Sequence, residues 1–192
     1  MILILLGPSG CGKGTQAQLL SQKYGLPHYS TGQIIRDETA AGTPEGLEAC
    51  DYANRGVWAP DELVFKMLAK RLAGPEAQKG FILDAFPRTV NQAQILEAYL
   101  REKGLSVAKV LLLETDEETA ITRIQNRLAE DLKAKGEVRP DEGDEIIRKR
   151  LQSYRESINP ILNFYRQRGL LEIIDNSPPI AEVFQAILSR LP

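Results

Sequence analysis

The 192-residue sequence has two cysteines, Cys11 and Cys50, and a single histidine, His28. Two thiols this far apart form neither a CxxC pair nor a zinc cluster. No Ser/His/Asp or Cys/His arrangement for nucleophilic catalysis can be assigned around that histidine. Long apolar runs are missing too, since no stretch reaches the ~18 residues that suggest a bilayer span. The apolar opening Met1–Leu6 has no basic flank and runs straight into Gly7 and Pro8. It reads as a buried strand rather than an export signal, so a reducing cytoplasm is the expected compartment. Charge of one sign is also lacking: 24 Lys and Arg stand against 26 Asp and Glu, a net charge of −2. That balance gives no global case for binding nucleic acid or an anionic membrane. No repeat and no low-complexity tract is visible. With 43% apolar and 26% charged residues, disordered and fibrous classes are excluded, and one main domain is expected.

What is present is an alternation. Strand candidates at Ile2–Leu6, His28–Ser30, Gly80–Leu83, Lys109–Glu114 and Leu171–Asp175 are separated by amphipathic stretches over 13–24, 61–73, 90–103, 116–130 and 141–168, with 179–190 closing the chain. Short apolar strands between helices predict a parallel sheet covered on both faces, wound by right-handed crossovers. Two stretches interrupt the rhythm. Residues 31–59 carry two short helical patterns without a strand, punctuated by Gly42, Pro44 and Gly56. Ser30 and Gln33 have the spacing of a capping box at the start of the first. Residues 128–142 are polar and broken by Gly136 and Pro140. In 141–168, Ile147, Leu151, Tyr154, Ile158, Ile161, Leu162 and Tyr165 recur at helical spacing as a packing stripe, and Pro160 is expected to kink or split that helix.

The strongest chemical signal is Gly7-Pro-Ser-Gly-Cys-Gly-Lys-Gly-Thr15, between an apolar strand and a helical pattern. That context suits a phosphate-binding loop: glycines let backbone N–H groups converge on an anion, the helix N-terminus adds positive charge, and Lys13 reaches the outer phosphates. Gly14 follows the lysine where Ser or Thr is usual, and Thr15 takes the polar position one residue later. Cys11 reads as a small filler. A second signal is Gly80-Phe-Ile-Leu-Asp-Ala-Phe-Pro-Arg-Thr89. Its strand-end Asp84 suits the water shell of Mg²⁺ beside phosphates, and Arg88 offers a bidentate fork. Third, Arg123 and Arg127 lie four apart despite like-charge repulsion, beside an Ile121–Ile124–Leu128 stripe, with Arg139 and Arg150 beyond. Converging cations suit phosphoryl transfer, whose transition state spreads negative charge over oxygens. His28 reads as a satisfied packing residue. Trp58 reads equally as a core anchor or as a platform for a flat base.

Together these motifs resemble the adenylate kinases, within the nucleoside monophosphate kinases, over nearly the whole chain. The GxxGxGKGTQ loop is similar to Gly7–Gln16. The STG-x-x-x-R string is similar to Ser30–Arg36, GFxxDGFPRT-x-x-QA to Gly80–Ala93, and an RxxxR helix to Arg123–Arg127. A lid arginine with acidic followers and a further arginine eleven on is matched by Arg139, Asp141, Glu142 and Arg150.

The resemblance implies a P-loop nucleoside monophosphate kinase fold of the short-lid type without zinc: an α/β domain with a five-stranded parallel sheet flanked by helices. The core would comprise 1–29, 60–123 and 141–192, with an AMP-binding insertion at 30–59 and a short lid at 124–140. It implies reversible transfer of the ATP γ-phosphoryl group to AMP, giving two ADP, with Mg²⁺ accompanying ATP and no protein nucleophile. Gly10, Cys11, Gly12, Lys13, Gly14, Thr15, Arg123 and Arg127 would bind ATP, Arg123 by packing on the base. Thr31, Gly32, Arg36, Val57, Trp58, Ala59, Ala85, Arg88, Gln92, Arg139 and Arg150 would bind AMP, with Arg36 and Arg88 on its phosphate. Lys13, Arg88, Arg127, Arg139 and Arg150 would serve the transfer itself. Asp84 would hold the hydrated Mg²⁺ environment with no direct protein ligand to the metal. Asp141 would support a lid arginine, and Lys133 or Lys135 are further candidate phosphate contacts. A cytoplasmic monomer, contacting neither nucleic acid nor membrane, completes the expectation.

Four positions depart from the family pattern: Ala85 replaces a glycine, Gln33 an Asp, Glu142 an Asp, and Trp58 a smaller apolar residue. The Ala85 methyl group is expected to crowd AMP. A uridylate/cytidylate kinase of the same fold is the nearest alternative, although Thr31 and Thr89 both favour AMP. A nucleotide-binding regulator without turnover is the other, and the full arginine set argues against it.

Overall fold

The computed structural model describes residues 1–135 and 143–191. Its central strand, β1 (Ile2–Leu6), is buried along its whole length and pairs in parallel with β3 (Phe81–Asp84) on one side and β4 (Lys109–Glu114) on the other. Strands β2 (His28–Ser30) and β5 (Leu171–Asp175) form the edges, giving the order β2-β3-β1-β4-β5. Because side chains alternate along a strand, β1, β3 and β4 each feed two cores. Ile2, Ile4, Leu6, Phe81, Leu83, Val110 and Leu112 face one layer. There they meet α4 (Asp61–Leu72), α5 (Val90–Glu102) and α7 (Asp144–Arg166) through Met67, Leu68, Leu96, Leu100, Ile161 and Tyr165. Leu3, Leu5, Ile82, Leu111, Leu113 and Ile174 face the other. It is built by Ala17 and Leu20 of α1 (Lys13–Tyr24) and by Val183 and Ile187 of α8 (Ile180–Leu188). Burial on both faces is why the strands read as continuous apolar runs.

The chain leaves β1, crosses to the edge for β2, returns beside β1 as β3, and then continues on the far side as β4. Such a reversal opens a crevice beyond the C-terminal ends of the strands. The loop after β1 and the turn after β3 meet there, with Leu5 and Ser30 both in register with Asp84.

Several expectations shift in detail. The third strand begins at Phe81, since Gly80 (φ 121) still belongs to the turn that follows a 3-10 helix at Pro75–Lys79. Asp84 is therefore the last strand residue. The helix expected over 116–130 is α6 (Glu117–Lys135), so helix continues through the first part of the stretch assigned to a lid. Helix α7 passes Pro160 without splitting. Its stripe joins two clusters: Ile147 and Leu151 pack on Ile124 of α6, while Ile161, Leu162 and Tyr165 enter the main core. The capping box is absent. Ser30 makes no side-chain cap, and the Gln33 amide instead accepts from Arg36 and donates to Asp37 (2.8 and 2.7 Å). Those partners lie three and four residues on, where a long helical side chain meets its neighbours.

The two short helices expected within 31–59 are α2 (Thr31–Ala40) and α3 (Pro44–Asn54). Their backbones nearly touch: a Cβ at Gly46 would lie 2.3 Å from the Glu38 carbonyl carbon and 2.5 Å from the Thr39 nitrogen. Gly46→Ala is therefore expected to force the hairpin apart, at the ~1–3 kcal/mol of an overpacked site. Thermal unfolding should show it as a drop of roughly 3–10 °C in Tm.

Candidate active site

The loop after β1 lies against α6. Gly10 adopts φ 84, and a Cβ there would sit 2.3 Å from the Ala120 carbonyl oxygen, so only glycine fits. Lys13 opens α1, is 8% exposed, and donates through Nζ to the carbonyl oxygens of Gly7 (2.9 Å) and Pro8 (2.8 Å). Cys11 is fully buried in the core, as its reading as a filler implies.

On the far side of the loop, Arg123 donates to the carbonyl oxygens of Cys11 (3.3 Å) and Asn176 (3.2 Å). Asn176 was not anticipated. It follows β5, is 4% exposed, and donates through Nδ2 to the Cys11 carbonyl and to Thr115 Oγ1, tying the glycine loop to the ends of β4 and β5. An asparagine after a strand looks like a turn residue in the sequence. Only the assembled sheet brings it to Cys11.

Asp84 is nearly buried, with Oδ2 3.4 Å from His28 Nε2. That separation is in ion-pair range but outside hydrogen-bond geometry. His28 is therefore not a satisfied packing residue, since its buried Nε2 has no hydrogen-bond partner among the described residues, and it lines the cleft beside Asp84. Burial pushes the Asp84 carboxyl up, but His28 and the charges of Lys13 and Arg88 outweigh it and hold the pKa below the ordinary carboxylate value. A single buried hard-oxygen donor suits a hydrated Mg²⁺, which keeps most of its waters and leans on phosphates. Among the described residues no group of three His, Cys, Asp or Glu side chains is placed to hold a metal directly.

Past Asp84 the chain turns sharply. Ala85 adopts φ 60, a left-handed conformation that costs an L-residue roughly 1–2 kcal/mol. The turn aims the Ala85 carbonyl at two site residues: it accepts from Thr31 Oγ1 (3.1 Å) and from Arg88 Nε (2.9 Å). The Arg88 guanidinium also stacks on Trp58, its central carbon 4.1 Å from the ring centroid. Trp58 is thus neither simply a core anchor nor an open platform, because the arginine covers one of its faces. Burial and the neighbouring Arg150 lower the Arg88 pKa to about 9, which leaves it charged at neutral pH.

A second unanticipated residue is Asp61, at the start of α4. It accepts from Thr89 Oγ1 (2.8 Å), Asn91 Nδ2 (3.0 Å) and Gln92 Nε2 (2.8 Å). Gln92 in turn accepts from the Arg88 backbone N–H at 2.7 Å. Its amide is pinned at both ends, which orients it toward the pocket it lines.

Two cavities result. A polar cleft of about 1250 Å³ is lined by Gly10, Cys11, Gly12, Lys13, Gly14, Thr15, Asp84, Arg123 and Arg127. A more apolar pocket of about 310 Å³ is lined by Thr31, Gly32, Arg36, Val57, Trp58, Ala59, Ala85, Arg88 and Gln92. Gly32, Arg36, Ala85, Arg88 and Arg150 line both, so the two spaces meet along a row of arginines. Arg139, Asp141, Glu142 and the Lys135 side chain lie outside the described residues, and Lys133 is exposed on α6.

The adenylate kinase family model matches residues 5–170. The chain belongs to the adenylate kinase family. It is 47% identical to an adenylate kinase of Azorhizobium caulinodans over 192 residues, all of this chain and 98% of the relative. Its identity to one of Methylobacterium nodulans is 46%, over 97% of this chain and 94% of the relative. An adenylate kinase of Thermobifida fusca is 44% identical over all of this chain and 98% of its own. Family membership fits the five-stranded parallel sheet and its flanking helices. Among the described residues no helix is long and apolar enough to cross a membrane.

Two outcomes test this geometry. Ala85→Gly is expected to relieve the left-handed strain, stabilising the fold by roughly 0.5–1 kcal/mol after the added unfolded-state entropy, and to lower the KM for AMP. Calorimetry and steady-state kinetics on the same preparation check both parts. Asp84 supplies the second. A carboxyl whose pKa falls on folding adds stability that is complete above its unfolded value of about 4 and vanishes as pH drops through the folded value. The stability gap between the parent and Asp84→Asn should therefore be widest above about pH 5 and narrow below about pH 4, read from urea unfolding across that range.

Proposed function

We propose that the chain moves the γ-phosphoryl group of ATP to AMP, reversibly, giving two ADP. The observation that carries this reading is the shared wall. A glycine-loop cleft fit for a polyphosphate opens into a smaller, more apolar pocket fit for a nucleoside, and Arg36, Arg88 and Arg150 stand at the junction.

ATP lies along the glycine loop, its phosphates against the backbone N–H groups and the N-terminus of α1. Lys13 trades bonds to the Gly7 and Pro8 carbonyls for phosphate oxygens. Arg123, at the rim formed by Cys11 and Asn176, borders the adenine side together with Pro178 and Ile180. AMP occupies the smaller pocket. Its base lies toward Gln92 and Val64, and its phosphate meets Arg36 and Arg88. Arg88 uses only Nε toward a described partner, leaving its two terminal nitrogens for a bidentate grip.

A phosphate oxygen of AMP then attacks the γ-phosphorus as the bond to the β-phosphate oxygen breaks. Charge spreads over the equatorial oxygens in this transition state. Lys13, Arg88, Arg127 and Arg150 face that charge, and their contribution is positioning and electrostatic stabilisation. No side chain forms a covalent intermediate. Mg²⁺, when bound with ATP, would neutralise phosphate charge beside Asp84. The stretch 124–140, with Arg139, is read as the lid that closes over ATP and keeps water from competing as acceptor.

Phosphoryl-transfer assays with ATP, Mg²⁺ and each nucleoside monophosphate in turn test the reading. AMP is expected to be the best acceptor, and chelation of Mg²⁺ to abolish turnover. Preference for UMP or CMP would reassign the acceptor, and tight ATP binding without transfer to any monophosphate would overturn the enzyme reading.

A further inference from the structure

The turn Gly56–Pro60 leaves the insertion and enters α4, and it carries the chain's single tryptophan across the pocket to Arg88. Arg88 itself comes from the other wall, the turn between β3 and α5. Three features hold it. Its Nε donates to the Ala85 carbonyl oxygen (2.9 Å), its backbone N–H donates to the Gln92 amide oxygen (2.7 Å), and its guanidinium carbon lies over the indole face, 4.1 Å from the ring centroid. The first two fix the base and neck of the side chain. Among the described residues, the indole is the contact that lies against the guanidinium beyond Nε, while the charges of Asp84 and Arg150 act on it from nearby. The indole nitrogen of Trp58 is buried and has no hydrogen-bond partner among the described residues. A tryptophan serving merely as a core anchor usually satisfies that N–H. This placement favours ring-face contact over satisfaction of the ring edge.

We propose that Trp58 is a positioning residue for the acceptor phosphate: its ring face holds the Arg88 guanidinium in the plane that a phosphate engages, before AMP arrives. A flexible arginine must give up side-chain freedom on binding, so prior restraint improves affinity without a new ligand contact. Partial desolvation against the ring strengthens the cation–π attraction. Because the plate belongs to the insertion and the arginine to the core, the seating of the insertion and the readiness of Arg88 are one event. The inference rests on the assignment of the smaller pocket to AMP. It adds that the tryptophan acts through Arg88 and not as a shelf for the base.

Kinetics and fluorescence separate these possibilities. Trp58→Leu keeps an apolar filler but removes the ring; it is expected to raise the KM for AMP about five- to tenfold, the effect of losing one partly buried cation–π contact. The KM for ATP and kcat should stay within about twofold, and Trp58→Phe should recover most of the loss, since a ring face is what Arg88 needs. In the parent protein AMP should change the emission of the lone tryptophan, whereas adenosine, which lacks the phosphate, should not. Should Trp58→Leu unfold, Trp58→Met and Trp58→Phe supply the same comparison. An unchanged AMP KM in the ring-less variant overturns the proposal, as does a parallel rise in both KM values. An equal response to adenosine and AMP overturns it in favour of a base platform. A parent protein that binds ATP but never phosphorylates AMP overturns the pocket assignment, and the proposal with it.

Discussion

Cations gathered at one cleft repel each other; the Asp84 carboxylate offsets some of the charge of Lys13 and Arg88, and direct supports must hold the side chains in place. In this fold, Lys13, Arg88 and Arg123 all rest on main-chain carbonyl oxygens: Lys13 on Gly7 and Pro8, Arg88 on Ala85, Arg123 on Cys11 and Asn176. A carbonyl dipole steadies a positive charge only partly and yields readily to a phosphate. A carboxylate in the same place would compete with the substrate for the full charge. The cation that lacks a second carbonyl, Arg88, lies on a tryptophan face instead, another neutral support. The rest of the site follows from the need to bring these carbonyls to the right side chains.

The parallel sheet meets that need through its order. With β1 central and β3 and β4 on either side, the turn after β3 offers the Ala85 carbonyl to Thr31 and Arg88, and Thr115 after β4 holds Asn176, which reaches Cys11 of the glycine loop. Close backbone approach is the second requirement. Gly10 touches α6 where no side chain fits, while Ala85 accepts an unfavourable φ so that one carbonyl serves both Thr31 and Arg88. Strain at such a turn persists because two hydrogen bonds and a buried Phe86 hold it in place.

Much of this was legible in the sequence. Strands β1, β2, β4 and β5 were placed to the residue: β1 and β4 because doubly buried strands are short, apolar and bounded by turns, and the less buried edge strands β2 and β5 because they alternate with helical patterns. Phosphate chemistry was legible from the spacing of glycines and Lys13, and the two short helices of the insertion from Gly42 and Pro44. Less visible were contacts between residues distant in the chain. Asn176 and Asp61 carry ordinary turn and helix-start chemistry, and nothing local shows that one reaches Cys11 or that the other gathers Thr89, Asn91 and Gln92. The expected capping box failed for a related reason, since Gln33 had two competing partners on its own helix.

The sequence by itself determined the class of chemistry. A glycine loop between strand and helix suits an anion, and several arginines converging with it explain why a few tenths of a kcal/mol of repulsion are accepted, although any one of them alone reads as a solvated basic face. It also determined the layers of the fold, through the period of its apolar residues. Only the tertiary structure decided how each charge is held. Hydrogen bonds and ring stacking depend on separations of a few ångströms between segments tens of residues apart, and no local pattern encodes those distances. Trp58 shows the difference most plainly: in sequence it was a bulky apolar residue with two open readings, and in the fold it became the surface on which Arg88 lies.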